Sequence, residues 1–282
     1  MEKQIAVSND LVWFHQFSQH ELGVSRSRLS ARAANLMTGD FFGGNPFAAR
    51  FNVAVAQMGE FGTRLESALH RLVLVDIYEN FLDYLVSVPA LLAECGRHGW
   101  SSKSAGKSPE AKFQAAWKNS GYAAIDRHHW ETFTYLRLRR HHYAHAAETI
   151  SERFVAHTKS VGSRLNAHWL ASGKLSGAEL DFTSHRIFAP GCAEIIALIR
   201  VAQAWLRTMD HAVAAELVPE KVVQCVARQR IGIAGGKAFV RNSMTVEQQA
   251  RRIKSDCQDL WGLTVTQRTA AATIYSIDLA RL

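Results

Sequence analysis

The residues best suited to chemistry form one basic cluster near the middle of the chain. Within the stretch ETFTYLRLRRHHYAHAAETISERF, residues 131–154, three arginines and three histidines fall inside nine residues: Arg137, Arg139, Arg140, His141, His142 and His145. Histidine titrates near neutral pH and can accept or donate a proton. Arginine keeps its charge, and its planar fork of donors suits phosphate oxygens. The cluster therefore predicts acid–base chemistry beside a bound phosphate.

The spacing within the cluster has a counterpart in a known family. Arg140 and His145 stand as Arg-x4-His with the polar His141 directly after the arginine. This pattern, on a helix that follows long helical segments, resembles the signature of the HEPN superfamily, whose all-helical domains often act as metal-independent RNases. The resemblance covers about residues 50–170. A second pair with the same spacing is Arg137 and His142. The residue after Arg137 is the apolar Leu138, so this pair fits the family pattern less well.

The resemblance implies a division of roles among the six residues. RNA carries its own nucleophile, the 2′-hydroxyl, beside the scissile phosphate. We expect His145 to act as base or acid and Arg140 to stabilise the phosphoryl oxygens, with His141 supporting them. We expect RNA binding by Arg137, Arg139 and His142. The expected products are a 2′,3′-cyclic phosphate and a 5′-hydroxyl.

The spacing also sets a geometric condition on the catalytic pair. Five residues along a helix correspond to about 140° of rotation, so Arg140 and His145 do not share a helix face. They converge only if the motif lies at a helix start or bend. HEPN relatives commonly assemble the site across a dimer, so the resemblance implies a homodimer.

Other interpretations of the same residues remain open. The arginines are also compatible with a solvated basic face. His141 and His145 lie four residues apart, as zinc ligands can, and His128 and His129 are near in sequence. No glutamate follows His141 and no cysteine is close, so we predict neither metal nor cofactor. Acidic side chains that can assist the site, without an assigned place, are Asp40, Asp76 and Glu79.

The composition of the chain indicates which partners and which cellular compartment to expect. The chain has 282 residues, a formal net charge of +8 and a sequence pI of about 9.5. Such a balance favours polyanionic partners, chiefly nucleic acid or an anionic membrane face, and does not choose between them. Four separated cysteines without a Cys-x-x-Cys pair indicate a reducing compartment. Neither a signal peptide nor an apolar run long enough for a membrane-spanning helix is apparent, so we predict a cytoplasmic protein without a membrane partner.

The elements that must hold the cluster are predicted to be almost entirely helical. We expect an all-α helical bundle of HEPN type over residues 48–217, an N-terminal helical extension over 1–47 and a C-terminal helical region over 218–282. One long helix or two joined helices are expected over 48–95, with apolar residues recurring from Leu65 through Leu72 to Leu85. The central helix is expected to run from Asp126 past Phe154. Thr245 and Gln248 resemble a capping box.

The function implied is a HEPN-type endoribonuclease that serves as a toxin or an anti-phage defence effector. The alternative is a non-catalytic helical module that binds nucleic acid or protein in a defence or toxin–antitoxin complex. A third arrangement is an effector held inactive by another subunit. The expected partners are RNA, a second copy of the chain, and an antitoxin or a sensor subunit.

Overall fold

The computed structural model describes residues 2–27, 35–101, 106–144, 149–176, 179–185, 187, 190–233, 245–261 and 263–276. Within these residues the regular structure is helical, and the two isolated β-bridges do not extend into strands, so the predicted all-α fold class is confirmed. A 3-10 turn covers Val55–Gln57. The α-helices are α1 Glu2–Ser27, α2 Thr38–Phe41, α3 Ala48–Phe51, α4 Met58–Cys95, α5 Pro109–Asn119, α6 Arg127–Ala144, α7 Glu152–Ala171, α8 Cys192–Glu216, α9 Pro219–Ile233, α10 Val246–Trp261 and α11 Gln267–Ser276.

The chain divides into two compact units, and the long helices α4 and α8 contribute residues to both. The first unit comprises Met1–Phe81 and Arg127–Leu206, and the second comprises Leu82–Asp126 and Arg207–Leu282. The predicted division into an extension, a bundle and a C-terminal region is not tested by this partition and stays a prediction.

Aromatic packing forms the centre of the first unit. The ring of Phe81 stacks on the indole of Trp205 with centroids 4.4 Å apart, and Phe133 lies 5.7 Å from the same indole. The Trp205 Nε1–H donates to the His129 carbonyl at 2.7 Å, which satisfies the polar end of a fully buried side chain. These contacts fix α6 against α4 and α8, because each helix contributes a ring to one cluster.

The second unit is built around the ends of α4 and α8. The Arg97 amide donates to the Glu216 carbonyl at 2.8 Å, and the Val218 amide donates to the Cys95 carbonyl at 2.9 Å. The capping box predicted at the start of α10 is confirmed. The Gln248 amide donates to Thr245 Oγ1 at 3.3 Å, and the Thr245 amide donates to Gln248 Oε1 at 2.9 Å.

The central helix differs from its prediction. Instead of one helix running past Phe154, α6 ends at Ala144 and α7 begins at Glu152. Ser151 caps α7, since its hydroxyl accepts from the Phe154 amide at 3.3 Å and its backbone is extended. A cap of this kind starts a new helix, which the apolar periodicity alone did not indicate. Arg140 consequently lies about one turn before Ala144, the last described residue of α6.

None of the helices in the described ranges combines the length and the apolar character required to cross a bilayer.

Candidate active site

The last two turns of α6 carry the basic cluster on two different faces. Consecutive helical residues are rotated by about 100°, so Arg139 and Arg140 point in different directions. Arg139 is fully buried, whereas the Arg140 side chain is 30% exposed. His141 is exposed and His142 is buried. The alternation follows from the helix period, with one face of α6 in the core and the other at the surface.

Arg140 is held by two residues of α4. Its Nε and Nη2 atoms donate to Glu79 Oε1 at 3.0 and 2.5 Å. Its guanidinium carbon lies 5.6 Å from the centroid of the Tyr78 ring. The carboxylate and the ring together restrict the guanidinium, because a charge-assisted hydrogen bond sets its plane and the aromatic face supports it. Arg140 is thus a positioned cation at the surface of the first unit.

Arg139, predicted to bind RNA, lies instead at the centre of a buried polar network. Its Nη1 donates to the Tyr135 hydroxyl at 3.0 Å, and its Nε donates to the Tyr143 hydroxyl at 3.1 Å. Its Nη2 lies 2.6 Å from Glu194 Oε1, and the Tyr143 hydroxyl in turn donates to the Ile187 carbonyl. A guanidinium with no exposed surface reaches an external phosphate only by leaving these partners. The geometry therefore gives Arg139 a structural role.

The ionisation of this network is biased toward a charged arginine. Burial alone would lower the pKa of Arg139, but the facing oxygens of Tyr135, Tyr143 and Glu194 outweigh it and raise that pKa. Burial raises the pKa of both tyrosines, so both hydroxyls stay protonated at neutral pH. The network consequently holds one positive and one negative charge, with neutral hydroxyls between helices α6 and α8.

His142 is buried beside two arginines. Burial first, and then the positive charges of Arg71 and Arg139, lower the pKa of His142 below its ordinary value of 6.5, although a hydrogen bond with the Thr149 backbone partly opposes the shift. A lowered pKa keeps the imidazole neutral at neutral pH. His142 therefore supplies a hydrogen-bonding group at this end of α6. It does not supply a positive charge that could bind a phosphate.

The remaining predicted residues are placed only in part. Arg137 is half-buried on α6. The predicted catalytic His145 lies outside the described residues, as does the rest of the segment 145–148. Within the described residues, the structure thus brings Arg140 and His141 to the exposed end of α6 and directs Arg139 and His142 inward. The catalytic assignments of Arg140, His141 and His145 stay predictions.

The three acidic residues that the sequence analysis named as possible assistants, Asp40, Asp76 and Glu79, lie at three separate positions in the structure. Glu79 pairs with Arg140, as described above. Asp76 accepts a hydrogen bond from the Ser8 hydroxyl at 2.5 Å, so it links α4 to α1. Asp40 is exposed on the short helix α2. Of the three, Glu79 is the one in contact with the basic cluster.

Of the two carboxylates that decide these environments, sequence reasoning named Glu79 without its partner and missed Glu194. Glu79 precedes Arg140 by 61 residues and Glu194 follows Arg139 by 55, so no local spacing pairs them. The one available local signal was the i, i+4 series Tyr135, Arg139 and Tyr143. On a helix, residues four apart are neighbours, and two phenols flanking an arginine indicate a hydrogen-bonded stripe.

Comparison of the chain with protein-family models, curated proteins and solved structures gives no significant match. Membership of the HEPN superfamily accordingly remains a hypothesis that depends on the motif and its helical setting.

Proposed function

We propose that the protein is a metal-independent endoribonuclease of HEPN type that acts in the cytoplasm as a toxin or an anti-phage defence effector. The observation that carries the proposal is the placement of Arg140. Its guanidinium is positioned by Glu79 and Tyr78, is partly exposed, and lies at the helix end that leads directly into the segment of His145. A pre-positioned arginine is what stabilisation of a phosphoryl transition state requires.

The helix boundary supports convergence of the catalytic pair. A continuous helix would separate Arg140 and His145 by about 140°. Residues 149–151 are not helical and α7 begins at Glu152, so the structure does not contain the single continuous helix through Phe154 for which that separation was worked out. In the proposed reaction His145 removes the proton of the 2′-hydroxyl or donates one to the leaving 5′-oxygen, and Arg140 stabilises the charge that develops on the phosphoryl oxygens.

The other members of the cluster take more limited roles in this proposal. His141, exposed beside Arg140, contributes a hydrogen bond to the phosphate or to His145. Arg137 remains the candidate for backbone contact with RNA. His142 stays neutral and acts as a hydrogen-bonding group, and Arg139 anchors α6. The proposed partners are RNA, a second copy of the chain that completes the cleft, and an antitoxin or sensor subunit.

The test in cells compares induction of the wild-type chain with induction of Arg140→Ala and His145→Ala. Of these three chains, only the wild-type chain is expected to arrest growth, and RNA from the arrested cells should carry new 2′,3′-cyclic phosphate ends. His211→Ala is a matched histidine control, because His211 is exposed on α8 in the other unit and should leave arrest unchanged. Arrest by all four chains without new RNA ends would rule out the RNase assignment.

A second candidate is a helical module that binds nucleic acid or protein without cleaving it. The observation that favours it is that Glu79 already accepts hydrogen bonds from two nitrogens of Arg140, so the described site is a closed ion pair. This candidate predicts binding that weakens with salt and declines gradually as several arginines are replaced. RNA that binds to the purified chain and stays intact would favour it over the nuclease.

A further inference from the structure

Two histidines and one aspartate meet near the start of α6, at the opposite end of that helix from Arg140. The side chains of Asp126, His128 and His168 form a group of three potential metal ligands. Their ligand atoms, a carboxylate oxygen and two ring nitrogens, all lie within 4.8 Å of one another. We call these three residues the α6–α7 cluster.

The ends of two helices position the α6–α7 cluster. Asp126 directly precedes α6, and His128 lies in the first turn of that helix. His168 lies in the last turn of α7, which packs against α6. Because Asp126 and His128 are only two residues apart, the start of α6 sets their separation, and α7 adds the third ligand. His168 follows His128 by 40 positions, so no local spacing in the sequence indicated this group.

Buried rings support one side of the α6–α7 cluster. The rings of His128 and His168 stack, with centroids 4.4 Å apart and planes inclined by 13°. The buried His129 lies edge-on to His168, with centroids 5.7 Å apart, and its ring also contacts the buried Trp169 at 5.6 Å. On the other side the cluster is open, since Asp126 is exposed and its two histidines are half-buried. An ion can therefore enter from solvent and find ligands that the core supports.

The charged groups beside the α6–α7 cluster do not exclude a cation. Within one turn of it along α6 and α7 lie two arginines, Arg127 and Arg164, and a second carboxylate, Glu131. Arg127 Nε and Arg164 Nη2 both pair with Glu131 Oε1, at 3.8 and 2.5 Å. With Asp126 included, two carboxylates match two arginines, and the arginines are directed to Glu131. The carboxylate of Asp126 is thus the negative group closest to the two imidazoles.

The ligand set selects the class of ion. Two imidazole nitrogens and a carboxylate oxygen suit Zn²⁺ and similar transition-metal ions, whereas Mg²⁺ and Ca²⁺ prefer oxygen ligands. Bonds of about 2.0–2.1 Å in a tetrahedral zinc site place ligand atoms about 3.3 Å apart, so the cluster must close by at most about 1.5 Å. Because stacked rings point their nitrogens in parallel directions, one half-buried imidazole must also turn about its Cβ–Cγ bond. That torsion is broad for histidine.

We propose that Asp126, His128 and His168 bind one Zn²⁺ ion, with water as the fourth ligand. The ion would brace the start of α6 against the end of α7. His128 precedes Arg140 by twelve residues, or about 18 Å of helix, so this site is separate from the proposed RNase site and does not rest on it. It also differs from the zinc alternative around His141, which lies about 20 Å along α6 from His128.

Zinc itself tests the site in the full-length chain without an affinity tag. The chain is dialysed against a chelator and then against metal-free buffer, and Zn²⁺ is added in a calorimeter. We expect one ion to bind per chain with a Kd of about 1 μM or lower. A large excess of Mg²⁺ should not compete. Co²⁺ in place of Zn²⁺ should produce the visible absorption bands of a four-coordinate ion.

Variants of the protein then locate the ion. His128→Ala and His168→Ala should each weaken Zn²⁺ binding at least tenfold, and Asp126→Asn should weaken it as well. His211→Ala is the matched control, since His211 is exposed on α8, and it should bind like the wild-type chain. Zn²⁺ should raise the urea midpoint of the wild-type chain and not that of His168→Ala. Circular dichroism verifies that each variant is folded.

Three results would overturn the proposal. A wild-type chain that binds no Zn²⁺ at micromolar concentrations would show that the cluster is not a metal site. Unchanged binding in both His128→Ala and His168→Ala would place the ion among other side chains, and equal competition by Mg²⁺ would remove the imidazole ligands. All three results are obtained without RNA, so failure of the zinc site leaves the RNase proposal standing, and the reverse also holds.

Discussion

Replacing Glu194 by glutamine removes the negative charge that neutralises the fully buried guanidinium of Arg139. The two side chains meet at 2.6 Å, and the exposed fraction of the Glu194 side chain is 21%. Removing one partner of a buried ion pair typically costs about 3–5 kcal/mol. Glutamine retains a hydrogen-bond acceptor and water reaches part of the site, so we expect about 3 kcal/mol, the lower end of that range.

Arg139→Met tests whether this cost arises from the unpaired charge. Methionine fills a similar volume without a charge, and the Glu194 carboxylate that remains is 21% exposed, so water can solvate it in place of the guanidinium. The substitution removes the donors to Tyr135 and Tyr143, at about 1 kcal/mol for each hydrogen bond, so we expect about 2 kcal/mol. In this background Glu194→Gln should cost less than 1 kcal/mol, because no buried cation remains.

The assay is a double-mutant cycle on the free energy of unfolding, measured by urea denaturation followed by circular dichroism. The cycle should give a coupling energy of about 2–3 kcal/mol between positions 139 and 194. The reasoning would be refuted if Glu194→Gln cost the same in both backgrounds. It would also be refuted if the single substitution left stability within 1 kcal/mol of the wild-type chain.

Three further predictions concern the same unit. Since its folded-state pKa is lowered, His142 takes up a proton more readily in the unfolded chain, so stability should fall as pH drops below about 6.5, and His142→Asn should reduce this loss in urea titrations at pH 7.5 and 5.5. Gly162→Ala places a methyl group 2.7 Å from the Phe182 carbonyl oxygen and should cost about 1–3 kcal/mol of unfolding free energy, whereas the control Gly23→Ala, in open space on α1, should stabilise by about 0.5–1 kcal/mol; equal effects would contradict the packing argument. Ser151→Ala removes the cap of α7 and should lower the free energy of unfolding by about 1 kcal/mol, with Ser151→Asp restoring it; a loss below 0.3 kcal/mol would mean that the cap contributes little.

The sequence was most informative where a local pattern determines structure. The apolar spacing over residues 193–217 predicts six buried side chains: Ile195, Leu198, Val201, Trp205 and Met209 are buried, and Ala204 is half-buried. The capping box at the start of α10 was likewise confirmed because both of its hydrogen bonds join residues three apart. In such cases the interacting groups are neighbours along the chain, so their spacing contains the needed information.

The same reasoning was less informative for α4. Its apolar residues recur at helical spacing, but Leu65 and Leu72 face outward while Ile77 and Phe81 are buried. Periodicity indicates that a helix has an apolar face and does not state which face packs against the rest of the chain. A helix with a second apolar face gives the same signal. That ambiguity left the outward direction of Leu65 and Leu72 unpredicted.

At the candidate site, the sequence did not indicate the direction in which each arginine side chain points. Three arginines within four residues differ only in their rotation about the α6 axis, and the position of the core decides which is buried. The contacts that make this decision, from Glu79 and Glu194, come from residues more than fifty positions away. The motif was therefore recognisable in the sequence, whereas the contrast between Arg139 and Arg140 required the fold.

The most direct test of the central claim is the chemistry of the ends that the purified chain produces from RNA in the presence of EDTA. We expect cleavage that leaves a 2′,3′-cyclic phosphate and a 5′-hydroxyl, and loss of this cleavage in Arg140→Ala and in a substrate with 2′-deoxyribose at the cut position. Products with 3′-hydroxyl ends, cleavage that stops with EDTA, or full activity in Arg140→Ala would contradict the proposal.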